Sequence, residues 1–310
     1  MSHQCFAVTI ADKIAHVVLN RPDKRNSMSP AFWDELPEII EDIDRHSRAR
    51  VIVISSTGPH FSSGLDISMF SDSSIAPGAD ALRQERLQHG ARFYDTVLRM
   101  QKSFNVLEAC RIPVLAAIQG GAIGGGVDLA TACDMRYATE DAFFTVFEIN
   151  IGMTADVGTF PRLVKLIPEG IVRELAYTGR RMPAREAQAC GLVNRVFADQ
   201  ATMLAEVMAI AREIASKAPL AVAGCKRMIT YSRDHSTADG LDYIGIWNAS
   251  MLQREEVLEA ISASAARRPG DRNTLRGHDR HDIGRDHRRR ARGVPRHPAP
   301  LRRPRADARG

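Results

Sequence analysis

Apolar positions in this 310-residue chain change their spacing from segment to segment, and the changes mark out its elements. Residues 6–19 alternate apolar and polar in two runs divided by Ala11, Asp12 and Lys13, the pattern of a β-hairpin. Residues 20–26, Asn-Arg-Pro-Asp-Lys-Arg-Asn, form a polar turn. Ser29 followed by Pro30 is a helix start, and Phe32, Leu36, Ile39, Ile40 and Ile43 recur at helical spacing behind it. The short runs 51–54 and 113–118 are wholly apolar, as strands covered on both faces are. Between them lie a Ser- and Gly-rich loop, 58–81, and a helix over about 82–110. Strand and helix keep alternating through 127–133, 135–138, 142–149, 158–167, 171–178, 183–190 and 192–197. Three helices, near 200–217, 220–231 and 237–263, close the body. This alternation predicts an α/β fold with a mostly parallel sheet. The helical end has no strands to pack on, so it should cover the core or a second subunit.

Composition alters the picture at one end. The chain is 44% hydrophobic, enough for a sizeable core, and its net charge is +5. Residues 267–310 hold 15 Arg, no Lys and 5 Asp, a charge of +10, which leaves −5 on residues 1–266. This tail, with five prolines and few large apolar side chains, is expected to be disordered. It has no interleaved aromatics, so no nucleic-acid partner is expected. The five cysteines show no Cys-x-x-Cys spacing, which argues for free thiols rather than disulfides or zinc. None of the ten histidines falls in a metal-ligand pattern, so no metal is expected. No run approaches the roughly 18 apolar residues of a membrane span. Neither a secretory or transit pattern at the start nor a peroxisomal address at the end is visible, and the expected location is cytoplasmic.

Three features carry chemistry. Strand 113–118 runs into Gly120-Gly121-Ala122-Ile123-Gly124-Gly125-Gly126 and then a helix. A dinucleotide fingerprint starting at Gly124 would need glycine at Leu129, and no Gly-Lys-Ser/Thr follows as in a P-loop. What remains is a glycine-lined helix N-terminus, either a tight packing device or a set of free N–H groups for a developing oxyanion. The loop Phe61-Ser62-Ser63-Gly64-Leu65-Asp66-Ile67 is either an ordinary turn or a place where backbone approaches a ligand. Asp128, Glu148 and Asp156 are carboxylates near these features. Asp128 lies in the first turn of the glycine-led helix. Glu148 alternates with Phe144 and Val146 and should share a strand face with them. Asp156 lies before a helix, as an N-cap or as an acid–base group. No Gly-x-Ser-x-Gly nucleophile elbow occurs.

The segment 120–134, Gly-Gly-Ala-Ile-Gly-Gly-Gly-Val-Asp-Leu-Ala-Thr-Ala-Cys-Asp, resembles the signature of the crotonase (enoyl-CoA hydratase/isomerase) family. Ser63-Gly-Leu-Asp-Ile67 is similar to that family's other oxyanion loop, and Asn20-Arg21-Pro22 with Asn26 to its CoA-side turn. The resemblance covers about residues 5–265. It implies a crotonase-like spiral of ββα units over 1–198, with an acyl-CoA site, and a helical oligomerisation region over 199–265 that makes a homotrimer or homohexamer. The segment 266–310 falls outside it. It implies an oxyanion hole from the amides of Ser63 and Gly125, a thioester-binding loop of Ser63, Gly64, Leu65, Asp66 and Ile67, and no cofactor beyond the coenzyme A of the substrate. Hydratases of the family carry two glutamates, matching Asp128 and Glu148; Asp at the first position puts simple hydration in doubt. Asp156, with Phe143-Phe144, residues 102–107 and residues 244–251, is similar to the members that shift a 3,5-dienoyl-CoA to 2,4-dienoyl-CoA in fatty-acid oxidation. In that case Asp156 is the C2 base, Glu148 the C6 acid, and Asp128 tunes Glu148. The alternatives are a 2-enoyl-CoA hydratase or 3,2-enoyl-CoA isomerase, and a non-catalytic acyl-CoA- or RNA-binding homologue.

Overall fold

The computed structural model describes residues 3–66, 69 and 83–266. Ile67 and the Arg-rich segment 267–310 lie outside the described residues. β1 (Phe6–Ala11) and β2 (Ile14–Leu19) form the antiparallel hairpin with Phe6 opposite Leu19. Asp12 and Lys13 turn it with φ of 51° and 65°, the mirror-image turn that suits strand twist. After a single 3-10 turn, Pro22–Lys24, comes α1 (Pro30–Arg45), whose expected stripe is buried. Ser29 occupies the N-cap position, but its hydroxyl makes no cap bond and instead lies 3.3 Å from the Cys5 thiol.

β3 (Val51–Ser56), α2 (Arg83–Ala109) and β4 (Val114–Ile118) follow, then β5 (Gly121–Ile123) and α3 (Gly125–Ala132). Next come β6 (Met135–Thr139), β7 (Phe143–Thr145), α4 (Thr159–Leu163), α5 (Glu169–Thr178), β8 (Met182–Pro183), α6 (Ala184–Ala189) and β9 (Arg195–Phe197). The chain then runs through α7 (Gln200–Ala215), α8 (Pro219–Ser232), α9 (Thr237–Met251) and α10 (Arg254–Ala265). The last of the three helices expected from sequence is therefore two, because Leu252 turns extended (ψ 123°) between α9 and α10.

The main sheet has the order β1-β2-β3-β4-β6-β9, parallel from β2 onward. A small sheet, β5-β7-β8, stands beside it. The apolar runs of β3 and β4 are explained by their two covered faces. Ile52, Ile54, Val114, Ala116 and Ile118 enter the large core with α1 and the end of α2. Their alternates Val51, Val53, Leu115 and Ala117 pack on Met203, Val207 and Ala211 of α7. This two-sided core fixes the C-terminal end of β4, from which β5 and α3 lead away. Among the described residues no helix is long and apolar enough to cross a membrane.

Candidate active site

The site grows from the joint between β5 and α3. The loop from Phe61 to Asp66 runs along β5: Ser62 N donates to Gly121 O and Ile123 N to Ser62 O, at 3.1 and 3.0 Å. The Ser62 hydroxyl is fully buried, donating to Asn26 O and accepting from Gly64 N. Gly64 has φ 82°, and a Cβ there would sit 2.7 Å from Ile123 O. Only glycine lets this loop lie against the start of α3.

Two amides face the resulting gap. Gly125 is the first residue of α3, and its N–H has no intrahelical acceptor. The structure corrects the expected partner. Ser63 N donates to Arg25 O at 3.0 Å, so it is engaged within the fold. Leu65 N, two residues on, donates to no acceptor among the described residues, because the bridge to Met28 uses Gly64 O and Asp66 N. Asp66 braces the loop: its Oδ2 accepts from the Ser27 hydroxyl at 2.8 Å and pairs with Arg21 at 3.4 Å.

The three carboxylates come from three different settings. Asp128 is completely buried in the first turn of α3. Its Oδ1 accepts from the Thr159 hydroxyl at 2.8 Å, while Oδ2 is buried without a partner. Burial, then the neighbouring charge of Glu148, pushes its pKa up to about 7, against the donors of Thr159 and the charge of Arg162. Glu148 does not lie on a strand as its alternation suggested. β7 ends at Thr145, and Glu148 opens a 3-10 turn, Glu148–Ile151. That turn swings its carboxyl against the glycine segment: Oε1 lies 3.1 Å from where a Cβ on Gly124 would be, and Oε2 is buried and unpartnered. Burial and, after it, the charge of Asp156 raise its pKa. Asp156 is not an N-cap, since Gly158 takes that position before α4. Its carbonyl accepts from Gln101 Nε2 on α2 at 2.7 Å, and burial raises its carboxyl pKa. Glu148 thus interacts with a carboxylate on either side.

Sequence reasoning missed Leu65 N as a distinct donor, and it missed Thr159 and Gln101. A backbone amide has no side-chain signature, and Gln101 reaches a loop 55 residues away. The one signal for Thr159 was its place directly after Gly158 at a helix start. Among the described residues no group of three or more His, Cys, Asp or Glu side chains could hold a metal ion.

The arrangement can hold a carbonyl oxygen with two amides and pass protons through carboxyl groups of raised pKa. A comparison decides whose arrangement it is: the Enoyl-CoA hydratase/isomerase profile matches residues 9–263. The chain belongs to the enoyl-CoA hydratase/isomerase family. Among its relatives, the protein named "Delta(3,5)-Delta(2,4)-dienoyl-CoA isomerase, mitochondrial" of Rattus norvegicus is 47% identical over 85% of this chain and 80% of the rat protein. The Arabidopsis thaliana protein of that activity, named peroxisomal, is 38% identical over 82% of this chain and 91% of its own. The crystal structure of an enoyl-CoA hydratase from Bacillus anthracis superposes with a TM-score of 0.76 at 29% identity, covering 86% and 98% of the two chains. The crotonase fold of this family member thus agrees with the one expected. The expected cytoplasmic location is overturned, because these relatives are named mitochondrial and peroxisomal. An import address is read by receptors and forms no part of a fold, so location is not legible in the pattern of elements.

Proposed function

We propose that this enzyme isomerises 3,5-dienoyl-CoA to 2,4-dienoyl-CoA in fatty-acid oxidation. The observation that carries the reading is the third carboxylate: Asp156 joins the Asp128–Glu148 pair beside the free amides of Leu65 and Gly125. Relatives of that named activity at 46–47% identity support it.

The thioester oxygen accepts from Leu65 N and Gly125 N, while Gly64 allows the close approach and Asp66 holds the loop. Ser63 flanks the thioester along the same loop. One such donor is typically worth about 3–4 kcal/mol in the transition state. Asp156 removes a C2 proton, and the electron pair spreads into the thioester carbonyl and the diene. Glu148 delivers a proton at C6, and the double bonds come to rest at positions 2 and 4. Asp156 is then protonated and Glu148 ionised, and a proton passes back to reset them. Asp128 keeps Glu148 supplied, because two buried neighbouring carboxyls resist joint ionisation and retain a proton. Every group used belongs to the chain or the substrate, so the reading calls for no cofactor beyond the substrate's own coenzyme A.

The enzyme works as a homotrimer or homohexamer, with residues 199–265 as the association region and 1–198 as the core. Support comes from Leu241, Ile246, Leu252, Leu258 and Ile261, all exposed on α9, α10 and their joint.

The test gives the purified protein a 3,5-dienoyl-CoA and, separately, a 2-enoyl-CoA. Growth of conjugated 2,4-dienoyl absorbance is the expected result. Rapid hydration of the 2-enoyl-CoA with no isomerisation overturns the reading in favour of a hydratase.

A further inference from the structure

α4 begins without a cap of its own, because its N-cap residue is Gly158. The cap comes from another helix. Asp128 of α3 accepts from the hydroxyl of Thr159, the first residue of α4, and the backbone N–H of the same residue favours its charge. The hydroxyl bond is 2.8 Å long, and both residues are buried, at 0% and 1% exposure. Oδ1 of Asp128 is therefore committed. The two oxygens left unpartnered in this region, Asp128 Oδ2 and Glu148 Oε2, belong to the two carboxyls that interact.

We propose that Thr159 is the positioning residue of the acid pair: it holds Asp128 by Oδ1 and so leaves Oδ2 as the oxygen that shares a proton with Glu148. The inference rests on the isomerase reading for its effect on turnover, but its geometry does not. The charged groups around Asp128 are few. Glu148 faces it from the 3-10 turn, with Asp156 beyond on the following loop. Arg162 faces it from α4, but that guanidinium is paired with Glu108 of α2 at 2.8 Å and bonded to Asn105. α3 carries no other titratable side chain. Arg162 still favours the ionised form, but less than the donors of Thr159, which are the main influence doing so.

The sign follows. Loss of the hydroxyl removes a donor to ionised Asp128, so the pair binds its proton more tightly. The basic limb of the rate profile, where the pair loses that proton, then moves to higher pH.

Thr159→Val and Thr159→Ser are compared in the full chain by three measurements. These are kcat against pH, titration of 13C-labelled aspartate carboxyls followed by NMR, and binding of octanoyl-CoA. In Thr159→Val the basic limb and the Asp128 titration should both rise by about one pH unit, while the plateau of kcat below that limb falls about tenfold because Oδ2 is no longer held towards Glu148. Octanoyl-CoA binding should stay unchanged. Thr159→Ser, which keeps the hydroxyl, should overlay the parent. A Thr159→Val profile that falls at every pH with its limb in place overturns the proposal, and so does a Thr159→Ser that behaves like Val. Where Val prevents folding, Thr159→Ala serves in its place. Failure of the parent to isomerise any dienoyl-CoA sinks the functional reading alone, because the carboxyl titration still reads the hold of Thr159 on Asp128.

Discussion

Asp156 differs from the other two carboxylates in what holds it. Its main chain is tied to Gln101 of α2, whereas its half-buried carboxyl meets no donor from another residue among the described residues. A carboxylate so placed is free to take up a proton, and burial makes it a stronger base than an exposed aspartate. Asp156→Asn keeps the size and removes the basicity. Isomerisation should fall by about 10²–10⁴-fold, the usual worth of a positioned general base, while octanoyl-CoA binding stays within about twofold. Stopped-flow absorbance and titration calorimetry check the two halves. A loss of binding as large as the loss of rate would make Asp156 a structural residue.

At the scale of elements, α8 is tied to the core by the buried cation of Lys226. Lys226 on α8 donates to Leu107 O and Ile112 O, at 2.6 and 2.9 Å, and pairs with Asp134 at 2.9 Å. Burial works against its charge, but Asp134 and the Cys110 thiol together outweigh that and the pKa is raised. Its ammonium thereby satisfies carbonyls at the C-terminal end of α2 and before β4. Lys226→Met should cost about 1–3 kcal/mol, because it removes the ammonium from two buried carbonyls and from Asp134, which keeps Val114 N as a donor. A urea-denaturation midpoint within error of the parent's would show that the contact holds nothing. The sequence pattern disclosed these elements unevenly. β3, β4 and the stripe of α1 were legible because burial on one or two faces leaves a period in the residues themselves. Glu148 was placed on a strand because Phe144, Val146 and Glu148 keep period 2, yet the strand ends at Thr145 and a 3-10 turn aims the carboxyl instead. The split between α9 and α10 was invisible, since it consists of a backbone torsion at Leu252 with no proline or glycine to announce it. The candidate site was legible in its carboxylates and glycines, which are side-chain facts. The choice between the amides of Ser63 and Leu65 depends on where Arg25 O lies, and that is set by tertiary structure.

At the scale of the whole molecule, an exposed apolar set and the basic excess fall in different stretches of the chain. Leu241, Ile246, Leu252, Leu258 and Ile261 are 54–67% exposed near the C-terminal end of the described body, and the basic excess lies wholly beyond residue 266. These features make different demands. The apolar side chains suit contact with further copies of the chain, whereas the Arg-rich segment takes no part in the proposed chemistry. A chain ended after Ala266 should therefore sediment as the same trimer or hexamer and retain full turnover. The double exchange Ile246→Asp and Leu258→Asp should shift it to monomer. A truncated chain that is monomeric or inactive would instead place the tail in the assembly.

The cap that α3 supplies to α4 also bears on how the family's activities can be exchanged. A glutamate in place of Asp128, the residue expected of a hydratase, carries one more methylene. With the backbone unchanged its carboxyl overshoots Thr159. The single exchange therefore uncaps α4 before it rearranges any chemistry. Conversion between double-bond shift and hydration thus calls for α4 to be refitted along with residue 128.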